Sequence, residues 1–415
     1  MSGFVALFLS IALFVGQFTS TTIPFLHTPI SCTSDNTENE LTNMAIETTA
    51  SGASNSLGLT CKSAVLMESS TGTIIYEKNA TEQFRPASIT KIMTLILIFD
   101  ALAENKITLE DTVTVSEHAA EMGGSQVYLE PGETQTVDTM IKCIAVASAN
   151  DACVAMAEHI WGSETEFVNH MNERAKELGM DHTTFINCCG LDVDGHVTTA
   201  KDIALMSREL TIKYPDIFNY TNIWMENITH VTRRGTSEFG LTNTNKLIRQ
   251  YSYATGLKTG FTNLAGFCVS ATAEKDGVEL IAVIMKADSS KIRNSEAISL
   301  LNYGFRICQT YTDANDTPLA PLHVDKGIAD AVSLYYAGPF NYVSVDGSDM
   351  SGIEKHTELP SCVNAPVVKG DIAGRVVYTL DGEKIGFVNI LYGETVEMAT
   401  FADYFIGALK EYLTI

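Results

Sequence analysis

The chain has no Cys-x-x-Cys pair, and none of its nine histidines falls in a His-Glu-x-x-His or similar ligand spacing. A zinc site is therefore not expected, and nothing in the sequence calls for another metal or an organic cofactor. Positive charge is scarce: 27 Lys and Arg against 50 Asp and Glu leave a formal charge of -23. Such a surface repels phosphate backbones, so nucleic acid is excluded as a partner, and the acidic excess reads as a solvated face that keeps the protein soluble. Proline is rare, at 10 of 415 residues, while 45% of the chain is hydrophobic, which excludes a disordered protein. Cysteines occur at 32, 61, 143, 153, 188, 189, 268, 308 and 362, an odd number with no framework. Most are expected to be small buried apolar residues, and the adjacent Cys188 and Cys189 have poor geometry for an ordinary bridge.

A length of 415 residues exceeds one comfortable core and implies two or three domains. Residues 4–18 form an apolar run too short to span a bilayer comfortably but right for a signal-peptide core, although no Lys or Arg precedes it and no Ala-x-Ala follows. Residues 1–22 are thus expected to be a signal peptide or N-terminal anchor, which implies export. Residues 23–57, rich in Thr, Ser and Asn, read as a flexible linker. Ala64–Glu68 and Thr73–Glu77 flank Ser69-Ser70-Thr71-Gly72 as a hairpin, and Ser88 opens the apolar run Ile89–Leu102, expected to be a buried helix. The stretch from Leu109 to about Leu210 is mainly helical in pattern, with two helices meeting at Ser148-Ala149-Asn150. Phe267–Ala273 and Val278–Met285 form a second hairpin, followed by a helix over Glu296–Phe305. Strands at both ends of this region with helices between them imply an α+β domain over 58–312. Residues 316–397 alternate in short stretches as a small β-sandwich domain. Over 398–415, Phe401, Phe405, Leu409 and Tyr412 form an apolar stripe, an amphipathic helix that packs on the β domain or lies on a membrane surface.

Three short blocks carry the chemistry: Ser88-Ile89-Thr90-Lys91, Ser148-Ala149-Asn150 and Lys258-Thr259-Gly260. On a helix start, Lys91 lies one turn above Ser88 and within reach of its hydroxyl, which needs a base to become a nucleophile. Burial beside a second cation, Lys258, is expected to depress Lys91 and allow that role. Ser148 and Asn150, at a helix junction, suit proton relay and the holding of Lys91 and a substrate amide; alone, they would be read as caps for the helix from Asp151. Lys258 and Thr259 supply a cation and a hydroxyl for a substrate carboxylate, and Gly260 lets a substrate backbone lie close. The N–H groups of Ser88 and Phe261 then suit an oxyanion hole. Arg293 is a further carboxylate ligand in this scheme, though by itself it reads as a surface ion pair.

With these blocks in order, the chain resembles the low-molecular-mass penicillin-binding proteins of the D-alanyl-D-alanine carboxypeptidase family, peptidase family S11. The likeness covers roughly residues 58–310 and extends to Gly123-Gly124-Ser125, Asn187-Cys188-Cys189-Gly190-Leu191 and Asn243-Thr244-Asn245-Lys246-Leu247. Ala149 stands where the family usually has glycine. The resemblance implies a β-lactamase/transpeptidase-like domain, an antiparallel sheet with helices on both faces plus a helical lobe. It implies Ser88 as the acylated nucleophile, Lys91 as its base, Ser148 and Asn150 as the second catalytic element, and Lys258, Thr259, Gly260, Phe261 and Arg293 around the substrate. The expected partners are a peptidoglycan stem peptide ending in D-Ala-D-Ala and β-lactams as covalent inhibitors, met at the outer face of the bacterial cytoplasmic membrane, in the cell wall or in the periplasm. A serine β-lactamase shares the three blocks, but no Glu-x-x-x-Asn stands between the second and third. A non-catalytic wall-binding or penicillin-sensing protein is the rival from another class.

Overall fold

The computed structural model describes residues 57–413, so the expectations for residues 1–22 and, but for Leu57, for the linker lie outside the described residues. Five strands form one antiparallel sheet: β1 (Ser63–Glu68), β2 (Ile74–Lys78), β3 (Ala254–Thr262), β4 (Gly266–Lys275) and β5 (Val278–Ala287), in the order β2-β1-β5-β4-β3. The two ends of the domain meet where β1 pairs with β5, Ser63 opposite Met285 and Glu68 opposite Leu280.

Both faces of this sheet are covered, which explains the unbroken apolar runs Ala64–Met67 of β1 and Leu280–Met285 of β5. Side chains alternate across a strand. Ala64, Leu66, Leu280, Ala282 and Ile284 enter one cluster with Leu300 and Leu301 of α6 (Ser290–Ile307). Val65, Met67, Ile281, Val283 and Met285 enter the other, with α1 (Lys91–Ala103) and the helical lobe. That lobe contains α2 (Val137–Ala145), α3 (Asn150–Trp161), α4 (Glu164–Glu177) and α5 (Ala200–Lys213). α1 is buried on nearly every side, as a helix apolar all round must be, and continues from the turn that holds Ser88. The hairpin of Met225–Thr232 and Gly235–Thr242, not anticipated from the sequence, extends from the lobe.

The C-terminal region has its own core under small sheets, one in the order Leu334–Tyr336, Glu383–Tyr392, Ile372–Leu380, Ile353–Glu358. Tyr378 stacks on Phe340 at 3.8 Å between centroids, and its hydroxyl donates to Asn315 Oδ1 at 2.8 Å. α7 (Phe401–Leu413) follows. It does not pack its stripe on that core: Phe401 is 85% exposed and Tyr412 80%.

Candidate active site

Residues 87–90 form a single 3-10 turn that feeds α1, so Ser88 stands at a sharp corner with Lys91 three residues on. Ala87 takes φ 49°, a costly backbone for a residue with a Cβ, of the kind that clusters at functional sites. Lys91 is fully buried, unlike an ordinary solvated lysine at a helix start. Its Nζ lies 3.0 Å from Ser88 Oγ, 2.6 Å from Asn150 Oδ1 and 2.7 Å from the carbonyl oxygen of Cys189. The two carbonyl oxygens can only accept. A neutral amine must therefore give them its two hydrogens, leaving its lone pair for the Ser88 hydroxyl.

Asn150 does not cap α3. The N-cap is Ala149, with no side-chain cap bond. Its Nδ2 donates instead to the Gly123 carbonyl at 2.7 Å, and its backbone N–H donates to Ser125 O at 2.7 Å, which fixes Oδ1 toward Lys91. Asp151 holds the same loop from behind, its buried carboxylate accepting the N–H groups of Val127, Leu129 and Ala152. Burial still pushes that carboxyl above its usual range.

Ser148 is held in a left-handed backbone, φ 61°, and its Oγ accepts from Lys258 Nζ at 2.8 Å. Burial first, then the nearby Lys91 and Arg293 side chains, hold Lys258 well below the ordinary amine range. Thr259 Oγ1 donates to Thr244 Oγ1 at 3.0 Å. β3 passes so close to the Ser88 turn that a Cβ on Gly260 would sit 2.9 Å from Pro86 O and 3.1 Å from Ile89 N, so only glycine fits without movement.

A cavity of about 660 Å³ is lined by Ser88, Ser148, Thr259, Gly260, Phe261 and Arg293. The nine predicted site residues are thus brought together, Lys91, Asn150 and Lys258 standing buried behind that surface. Phe261 stacks on Phe267 at 4.3 Å between centroids. Arg293 is buried and makes no surface ion pair among the described residues, its Nε donating to Asn294 Oδ1 at 3.0 Å. Burial lowers its pKa to about 10, the cost of keeping a cation ready for a carboxylate.

Sequence reasoning missed the backbone acceptors, the carbonyls of Cys189 and Gly123, because any residue can supply a carbonyl. A signal existed in Asn187-x-x-Gly190. Asn187 Oδ1 collects the N–H groups of Cys189, Gly190 and Leu191, and Gly190, at φ 90°, turns the chain where a Cβ would lie 1.8 Å from Ala87 O. His196 was also missed as a site support. Its Nδ1 accepts the Ile186 N–H, so the proton is on Nε2, which donates to Thr90 Oγ1 at 2.9 Å.

Comparison with known proteins decides the family. The family of D-alanyl-D-alanine carboxypeptidases, peptidase family S11, matches residues 48–289, and the penicillin-binding protein 5 C-terminal domain matches residues 309–398. The chain belongs to peptidase family S11. Among these S11 peptidases, it is 41% identical to D-alanyl-D-alanine carboxypeptidase DacF of Bacillus subtilis over 83% of this chain and 87% of that one. It is 33% identical to DacC of Escherichia coli, over 81% and 84% of the two chains. Penicillin-binding protein 5 of Haemophilus influenzae superposes with a TM-score of 0.64 at 28% identity, covering 82% of this chain and 98% of that one. S11 membership makes this a serine-type carboxypeptidase of the α+β class expected from the sequence, and it does not favour the β-lactamase or the non-catalytic sensor.

Proposed function

We propose that the protein removes the terminal D-alanine from peptidoglycan pentapeptide stems through an acyl-enzyme on Ser88, and that penicillins acylate the same oxygen. The observation that carries this reading is the setting of Lys91, whose two carbonyl partners leave its lone pair facing Ser88. Ser88 Oγ attacks the carbonyl carbon of the penultimate D-Ala as its proton passes to Lys91 Nζ. The carbonyl electron pair moves onto oxygen, received by the backbone N–H groups of Ser88 and Phe261, at about 3 kcal/mol per donor. Collapse breaks the C–N bond, and the departing amine takes the proton held on Lys91 through Ser148, which Lys258 Nζ adjoins. Thr259 and Arg293 hold the terminal carboxylate, and Gly260 admits the substrate backbone. Water then adds to the ester as it gives a proton to Lys91, the C–Oγ bond breaks to free the acid, and Ser88 takes that proton from Lys91. In a β-lactam the broken C–N bond stays tethered in the ring, so no small amine departs.

Action on peptidoglycan places the protein outside the cytoplasmic membrane. Among the described residues no helix is long and apolar enough to cross a bilayer. Surface attachment falls to α7, where Phe401, Tyr404, Phe405, Ile406, Leu409, Tyr412 and Leu413 are all exposed. Lys410 is its only basic residue, beside Asp403 and Glu411, so binding rests on apolar area rather than charge.

Release of D-Ala from diacetyl-Lys-D-Ala-D-Ala tests the assignment. Wild type should turn the peptide over and Ser88→Ala should not; a Ser88→Ala variant that keeps more than a few per cent of the rate refutes it.

A further inference from the structure

The cavity does not end at the groups that take one terminal carboxylate. Beside Arg293 it is also lined by Lys246, Gln250, Lys291, Asn294 and Ser295, a limb tied to Arg293 through Asn294 and Gln250. Its volume of about 660 Å³ suits a drug-sized ligand, more than a dipeptide end requires. The floor of this limb is ordered: Asn294 Nδ2 donates to Gln250 Oε1 at 2.8 Å while Asn294 Oδ1 holds Arg293 Nε, so Arg293 Nη1 and Nη2 stay without a protein partner. Lys246 and Lys291 likewise have no ion pair or hydrogen bond through their ammonium groups among the described residues. Two unneutralised cations on one limb of a cleft, in a protein of charge -23, mark a place that receives negative charge.

Arg293 also fixes which part of the substrate enters this limb. The terminal carboxylate belongs to the leaving residue, so groups past Arg293 meet that residue's side chain and not the acyl portion. We infer that Lys246 and Lys291 are specificity-determining residues for the leaving residue, and that they select one whose side chain carries a second carboxylate. This rests on the acyl-transfer reading above. Such a residue is either a free acidic D-amino acid at the end of a stem or the branching residue of a cross-linked stem, and the lysines answer to the carboxylate that the two share.

The test compares kcat/KM for diacetyl-Lys-D-Ala-D-Glu and diacetyl-Lys-D-Ala-D-Gln, which differ in side-chain charge but hardly in shape. The D-Glu peptide should be preferred by about 2- to 5-fold for each lysine, as expected for partly exposed ion pairs. The ratio should shrink in high salt. It should fall toward 1 in the Lys246→Gln/Lys291→Gln double variant and survive in Lys246→Arg/Lys291→Arg. No preference in wild type, or one that persists in the glutamine double variant, overturns the inference. Failure of the folded protein to release D-Ala from any peptide overturns the underlying function instead. A cross-linked stem dimer with its flanking carboxylate free or amidated separates the sources: a free-acid preference there assigns the limb to cross-links, and a preference confined to the D-Glu tripeptide assigns it to uncross-linked stems.

Discussion

Gly190→Ala is the sharpest test of how the site is held. Gly190 lies at φ 90°, and a Cβ there would stand 1.8 Å from Ala87 O and 2.4 Å from Ala87 C, where ordinary contact begins at 3.4 Å. The Ala87 carbonyl and the Gly190 backbone must therefore part by about 1.6 Å, the difference between 3.4 and 1.8. The left-handed backbone alone costs an alanine about 1–2 kcal/mol, and overpacking adds about 1–3 kcal/mol, for a total of about 2–5 kcal/mol. At about 2 °C per kcal/mol for a domain of roughly 250 residues, the melting temperature should fall by about 4–10 °C. Gly162→Ala is the control: it has φ 77° and nothing within 4 Å of a new Cβ, so it should lose only the backbone part. The movement also reaches the chemistry, because Ala87 precedes Ser88 and the Cys189 carbonyl that orients Lys91 precedes Gly190. A misplacement near 1 Å can cost about 100-fold in rate, so acylation by a fluorescent penicillin should slow by about that factor in Gly190→Ala and not in Gly162→Ala. Equal melting temperatures for the two variants, with equal acylation rates, would refute the reasoning.

One further prediction follows from a buried ring and one from an exposed face. Burial, with the Arg85 cation adding to it, lowers His196 from 6.5 to about 4. The unfolded chain therefore binds more protons between those values, so the contribution of His196 is full above pH 6.5 and is lost as pH falls toward 4, about 3 kcal/mol across the window. Chemical unfolding at pH 4.5 and 7 should show that slope in wild type and a smaller one in His196→Gln; identical slopes would contradict the buried neutral ring. Replacing Phe401 and Phe405 on α7 by serine should abolish sedimentation with phosphatidylcholine vesicles while D-Ala release in solution is kept, and binding by the unaltered protein should be insensitive to salt. Binding that needs anionic lipid and vanishes in salt would contradict an apolar mode of attachment.

Local signals carried much of the architecture. The Ser69–Gly72 and Glu274–Gly277 turns marked two hairpins of the sheet, and the unbroken apolar run of α1 marked a central helix. What local signals do not carry is depth. The alternation of Val65 and Leu66 between two cores is invisible when both residues are apolar. Arg293 reads as an ordinary helix-surface cation until the packing of α6 closes over it. The depression of Lys258 comes first from its burial, which no spacing reports. The hairpin at 225–242 is polar and exposed along much of its length, so it has weak patterning to read. The acceptors on Lys91 are main-chain groups from remote loops, legible only in retrospect through Asn187 and Gly190.

The most direct measurement is the site of covalent attachment. Folded protein incubated with benzylpenicillin, then digested and mapped by mass spectrometry, should carry one penicilloyl group on the peptide containing Ser88 and none in Ser88→Ala. A label on any other residue, or no label on folded protein, would contradict the claim that Lys91, Asn150 and Lys258 converge to activate that hydroxyl.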